Sequence, residues 1–124
     1  MKILGIGVDI VDNLRINKSL KKSLFVNRVF SNTEISLAKK IKDKKSYYSK
    51  RFAAKEAFAK TIGTGFRYNL SFKDIAIVND KLGKPSFLIT EKIKKIVKKQ
   101  FKTSSFDFFL SISDEKKYSI AYVI

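Results

Sequence analysis

Two segments of this chain carry residues whose types and spacing could do chemistry. The first is Gly5-Ile6-Gly7-Val8-Asp9-Ile10-Val11-Asp12. It puts a carboxylate, Asp9, at the end of what reads as a buried strand, where an unpaired charge is costly. Gly5-x-Gly7 allows close backbone approach. It lacks the third glycine and the following helix of a dinucleotide fingerprint. The same residues also fit a tight strand that ends in a helix-capping aspartate. The second segment is Arg51-Phe52-Ala53-Ala54-Lys55-Glu56-Ala57-Phe58-Ala59-Lys60. On a helix, Phe52, Glu56 and Lys60 lie four apart and share a face. Glu56 and Lys60 also fit a plain surface ion pair worth ~0.3–0.5 kcal/mol. The small and aromatic neighbours point to a packed helix, and a charge on its packed side needs a partner.

If Asp9 and Glu56 converge, two carboxylates share a small space. Their repulsion raises one pKa unless a cation sits between them. Magnesium suits that place, because it takes one or two carboxylates and completes its octahedron with waters and phosphate oxygens. Lys60, one turn further on, could neutralise phosphate. Such a set performs phosphoryl-type transfer without histidine or cysteine. This chain has neither. Disulfides, zinc thiolates, cysteine nucleophiles and histidine bases are therefore excluded.

The elements that must position these residues are legible from pattern. Residues 2–8 read as a buried strand, and residues 13–30 as partly helical. Ser31 with Glu34 fits a capping box opening a helix through Ile41. A longer, alanine-rich helix is expected from Ser46 to Ile62, stopped by Gly63. Strands are expected at 75–78 and at 86–89, around an Asn79–Pro85 turn. Thr90 can cap a helix from Glu91 to Phe101, whose apolar face is Ile93, Ile96, Val97 and Phe101. Strands at 106–112 and 118–124 complete the chain. The order predicts one α+β domain, residues 1–124.

Composition bounds the rest. In 124 residues, 44% are hydrophobic, with eleven Phe, and only one Pro is present. That supports a single packed core. The apolar start is short for a signal peptide and no run reaches membrane-spanning length, so a cytoplasmic protein with no membrane insertion is expected. The net charge is +16. Such a charge attracts anionic partners. Only four of the 27 basic residues are Arg, at positions 15, 28, 51 and 67. Many of the lysines therefore read as solubility charge. A basic nucleic-acid-binding module is the alternative that this charge raises, but no helix–turn–helix, zinc or RNP-type aromatic pattern accompanies it.

Taken together, the two segments resemble those of holo-acyl-carrier-protein synthases. So do Gly63-Thr64-Gly65, Ser71-Phe72-x-Asp74-Ile75, Asn79-Asp80-x-Leu82-Gly83-Lys84-Pro85, Ser111-Ile112-Ser113 and Ala121-Tyr122-Val123-Ile124. These motifs follow the family's order along nearly the whole chain. The resemblance implies a 4′-phosphopantetheinyl transferase-like fold, with an antiparallel sheet packed against a long helix. It implies transfer of the 4′-phosphopantetheine arm of coenzyme A to a serine of apo acyl carrier protein, in fatty acid biosynthesis, with release of adenosine 3′,5′-bisphosphate. It implies Mg2+ on Asp9 and Glu56, with Lys60 as a third catalytic residue. Coenzyme A contacts are implied for Lys60, Gly63, Gly65, Gly83, Lys84 and Pro85. Carrier-protein contacts are implied for Arg15, Lys22 and Arg28. A homotrimer with active sites between subunits is implied as well, so the Gly83-Lys84-Pro85 turn could serve a neighbour, or be only a turn between strands. One position departs from the pattern. Asp114 stands where many members have His in the coenzyme A region, which removes a phosphate contact there.

Overall fold

The computed structural model describes residues 1–124. Its centre is α4, Lys44–Ile62, capped by the Asp43 carboxylate on the Ser46 amide and closed by Gly63 at φ 83°. Ala53, Ala54, Ala57, Phe58, Ala59 and Ile62 are all buried. Small side chains let neighbouring backbone come close on several sides of this helix.

The chain enters through β1, Gly7–Asp12, and reaches α1, Asn13–Ser19, and α2, Ser23–Val29. Then come α3, Asn32–Ala38, and α4. A 3₁₀ turn, Phe72–Asp74, leads into β2, Ile77–Asn79, and β3, Pro85–Phe87. The chain ends with α5, Glu91–Phe101, then β4, Leu110–Asp114, and β5, Tyr118–Val123. An antiparallel sheet in the order β1-β5-β4 packs on α4, and β2-β3 forms a separate hairpin. The expected α+β architecture is present.

Several boundaries differ from expectation. The first strand is 7–12 rather than 2–8, so Asp9 lies inside it and not at its end. Nor is the strand buried on both faces: Ile3, Ile6, Val8 and Ile10 are all more than half exposed. The capping role falls to Asp12, which accepts from the Leu14 and Arg15 amides. The third helix ends at Ala38, after which Lys39, Lys40 and Ile41 tighten into three-residue bonds. The second strand starts at 77, because the capped turn of residues 71–74 occupies the segment before it. The fourth strand starts at 110, and residues 106–109 reach it as irregular chain.

The two early glycines explain how β1 seats on α4. A Cβ at Gly7 would fall inside contact distance of the Ala57 carbonyl and 2.8 Å from the Thr61 amide. One at Gly5 would run into the Thr61 carbonyl. Helix backbone cannot step aside cheaply. Gly7→Ala is therefore expected to cost about 3 kcal/mol or more, at the top of the overpacking range. Thermal melts should fall by on the order of 10 °C or more. A shift of only a degree or two means that strand and helix are less closely seated than described.

The 3₁₀ turn is held by its own capping box: Ser71 and Asp74 bond reciprocally, and Lys92 reaches the Asp74 carboxylate at 2.7 Å. Burial pushes the Asp74 carboxyl up, but the bonds from Lys92 and Ser71 outweigh it and hold its pKa below the ordinary 3.8. A depressed carboxyl contributes stability above its unfolded pKa and loses it as pH falls through the folded one. Asp74→Asn should cost about 1 kcal/mol at pH 7, the usual size of a lost cap. The gap from the parent should close below pH 3.8 in urea melts. An equal gap at both pH values refutes the assignment.

Candidate functional site

Asp9 is on the inner face of β1, opposite Ala121 of β5, and faces α4. Its carboxylate is 15% exposed. Lys60, in the last turn of α4, donates to Asp9 Oδ1 and to the Val8 carbonyl, both at 3.0 Å. The expected Glu56–Lys60 pair is therefore replaced: the lysine crosses from helix to strand and takes Asp9. Its side chain remains about half exposed.

Glu56, one turn earlier, is half-buried and takes part in no ion pair. Burial is the largest cause of its raised pKa. The Asp9 charge adds to it, and Lys60 opposes both. The two carboxylates lie 47 positions apart in sequence and meet here. Their convergence comes from the glycine-mediated seating of β1 on α4. The donor set is two oxygen acids with one cation at the rim. Glu56 is a carboxylate with a desolvation cost and no donor to repay it. That chemistry fits a hard divalent ion such as magnesium.

Gly63 and Gly65 lie just past the same end of α4, both left-handed, at φ 83° and 60°. The β2–β3 turn does not join them. Arg51 donates to Asn79 Oδ1 at 2.6 Å, and Asn79 donates to the Gly83 carbonyl. Gly83, Lys84 and Pro85 are thus tied near position 51, about 14 Å along α4 from Lys60 at 1.5 Å per residue. Within one chain, the two groups are separate.

Arg15, Lys22 and Arg28 are exposed on α1, at the α2 cap and on α2, and none makes an ion pair. Lys21, Lys22 and Arg28 rim a cavity of about 650 Å³ floored by Phe25, Phe52 and Phe72. Phe52 is one turn before Glu56, so the cavity adjoins the carboxylate pair. Asp114 accepts from the Ser46 hydroxyl at 2.8 Å. It joins the end of β4 to the first turn of α4.

The pattern reading missed a buried network. Lys55 is fully buried, and its ammonium donates to Glu34 Oε1 at 2.7 Å and to the carbonyls of Phe72 and Ile75. Glu34, itself buried, also accepts from the Ser31 and Ile77 amides. A signal existed: positions 51, 55, 58 and 62 share a helix face, and Phe58 with Ile62 marks it as the core face. Glu34 was legible only as a cap.

Residues 5–123 match the family model described as the 4′-phosphopantetheinyl transferase superfamily. The chain belongs to this superfamily. A holo-[acyl-carrier-protein] synthase of Pelagibacter ubique is 77% identical over 124 residues, covering all of this chain and 97% of the relative. The fold of the transferase is similar to that of a holo-[acyl-carrier-protein] synthase from Neisseria meningitidis. The TM-score is 0.88 and the identity 39%, over 98% of this chain and 97% of that one. A Helicobacter pylori synthase solved in complex with coenzyme A matches with a TM-score of 0.81 at 33% identity, over 96% and 97% of the two chains.

Proposed function

We infer that this transferase moves the 4′-phosphopantetheine arm of coenzyme A to a serine hydroxyl of apo acyl carrier protein and releases adenosine 3′,5′-bisphosphate. The observation that carries the reading is the meeting of Asp9, Glu56 and Lys60 where β1 crosses α4, in a chain of this superfamily. The coenzyme A complexes of the similar Helicobacter pylori and Bacillus anthracis synthases support the donor.

In this reading Asp9 and Glu56 would hold Mg2+ beside the coenzyme A diphosphate. When bound, the ion supplies charge neutralisation on the phosphate oxygens and an ordered water. Lys60 keeps its ammonium at the rim and stabilises charge that builds on the phosphates as the phosphoanhydride bond breaks. The carrier serine oxygen bonds to the β-phosphorus as its proton passes to a nearby carboxylate or water. The bond to the bridging oxygen breaks, and adenosine 3′,5′-bisphosphate leaves with that oxygen. Gly63 and Gly65 offer close backbone approach for the coenzyme at the end of α4. Positioning and electrostatics supply the rate, as expected where no protein nucleophile takes part.

Arg15, Lys22 and Arg28 receive the acidic carrier on the side of α1 and α2. The chain works as a homotrimer in the cytoplasm, in fatty acid biosynthesis, with the Gly83-Lys84-Pro85 turn reaching a neighbour's coenzyme. The exposed apolar face of β1 and β5 supports assembly. No helix is long and apolar enough to cross a membrane. The nucleic-acid alternative has little to stand on: Lys92 and Lys94 of α5 already pair with Asp74 and Glu91.

Intact-mass spectrometry of an apo acyl carrier protein incubated with this chain, coenzyme A and magnesium tests the reaction directly. A phosphopantetheine mass gain that chelator removes is the expected result. No gain with several carriers, in folded protein, overturns the reading.

A further inference from the structure

Lys55 has three N–H donors and three acceptors, and two of these acceptors are backbone carbonyls of one short segment, Phe72 O at 2.9 Å and Ile75 O at 2.6 Å. A bond to backbone fixes where a segment runs, whatever side chains it carries. Here it fixes the segment whose Phe72 ring stacks on Phe52 at 5.5 Å and 18°. Phe52 is on α4, one turn from Glu56. Phe72 and Phe52 floor the cavity rimmed by Lys21, Lys22 and Arg28. The same ammonium therefore ties the segment that carries Phe72 to the helix that carries Phe52 and Glu56. Burial pushes the Lys55 pKa down, and the Glu34 carboxylate opposes this. Keeping an amine in such a place calls for a return beyond stability, since buried ion pairs are often matched by apolar packing.

We propose that Lys55 is a positioning residue for the carrier protein: by clamping the Phe72 and Ile75 carbonyls it sets the Phe52–Phe72 floor at a fixed offset from the Asp9–Glu56 pair. This inference rests on the reading that the carrier docks beside Lys22 and Arg28. The carrier's apolar side chains would meet that floor while its acidic groups meet the basic rim. The clamp does not touch the diphosphate end of coenzyme A, so its loss should be felt by one substrate only.

The test is steady-state kinetics with both substrates varied. Lys55→Met alone leaves the buried Glu34 charge with only Arg51, 3.9 Å away, to answer it, which endangers folding. The informative variant is Lys55→Met with Glu34→Gln, which removes both charges and frees the two carbonyls. The KM for apo carrier should rise about tenfold, with kcat and the KM for coenzyme A within about threefold, a split that general loosening of the fold does not give. Glu34→Gln alone is the control. Charged or neutral, the amine keeps at least two N–H donors for the two carbonyls, so its carrier KM should stay near that of the parent. If the double variant does not fold, Phe72→Ala removes one of the floor's three rings and leaves the clamp, and should raise the carrier KM alone. Unchanged carrier KM in the folded variant, or equal rises for both substrates, overturns the proposal. Lys22→Glu with Arg28→Glu, run in parallel, separates the two levels. If that pair weakens carrier use and the Lys55 variant does not, only the positioning role falls. If neither does, the docking reading falls with it.

Discussion

Glu56→Gln is expected to lower phosphopantetheine transfer by on the order of 10²–10³-fold, the usual effect of deleting one preorganised charge contact, without weakening the metal-free fold. The second half of that expectation distinguishes a site residue from a structural one. Glu56 is half-buried on α4 and unpaired. Burial first, and the Asp9 charge second, raise its pKa above the ordinary 4.5, against the pull of Lys60. A carboxyl raised on folding binds its proton better in the folded state. Between pH 4.5 and the raised value, stability therefore falls as pH rises, and above that value the ionised side chain is a net burden. Glutamine has the same shape and no charge to desolvate. Metal-free Glu56→Gln should therefore melt at or slightly above the parent temperature at pH 7. That difference should fade as the pH is brought down to 4.5. Transfer within tenfold of the parent would sink the assignment of Glu56 to the site. A clear fall in melting temperature would instead make Glu56 a structural residue. Asp9→Asn should lose transfer to a similar degree but give no gain in stability, because Asp9 already has a partner in Lys60.

That asymmetry between the two carboxylates was not visible in the sequence. Their residue types and the helical spacing of Phe52, Glu56 and Lys60 were, and so was the packed character of α4, because alanine runs and capping signals are local. The helix from Ser46 to Ile62 and its Gly63 stop were legible for the same reason, the observed helix starting two residues earlier, at Lys44. Which cation Lys60 would choose to pair with depends on the distance across from α4 to β1, and no local pattern encodes that distance. Lys55 illustrates the same limit more sharply. A lysine next to a candidate catalytic glutamate reads as solvent-facing charge, yet it is fully buried. Its partners come from α3 and from the 71–75 segment, more than fifteen residues away in either direction. The first strand was misjudged for a related reason. An unbroken apolar run reads as buried on both faces, but a single copy of this chain covers only one.

Ile10→Lys is expected to leave a folded monomer whose transfer activity is at least 10²-fold down, the loss expected when remote groups no longer position a substrate. Along β1, Gly7, Asp9 and Val11 face α4 while Val8 and Ile10 face away. Across the ladder Val8 meets Tyr122 and Ile10 meets Ile120, so the outer face is apolar on both strands. Val8 is 52% exposed, Ile10 58%, Ile120 40% and Tyr122 40%. Fully burying a side chain of this size is worth about 1.5–3 kcal/mol, so this face supplies a driving force for association in the proposed trimer. A lysine at its centre must either be buried without a partner or keep the copies apart. The folded monomer itself should be unharmed, since Ile10 does not touch α4. Activity should fall for a geometric reason. The Gly83–Pro85 turn is bound near Arg51, about 14 Å along α4 from Lys60, and in the proposed trimer it reaches the coenzyme of another copy. Light scattering and the mass assay on the same sample decide the matter. A monomer that retains full transfer shows that the turn has no part in the site. A variant that remains trimeric shows that the apolar face lies outside the contact between copies.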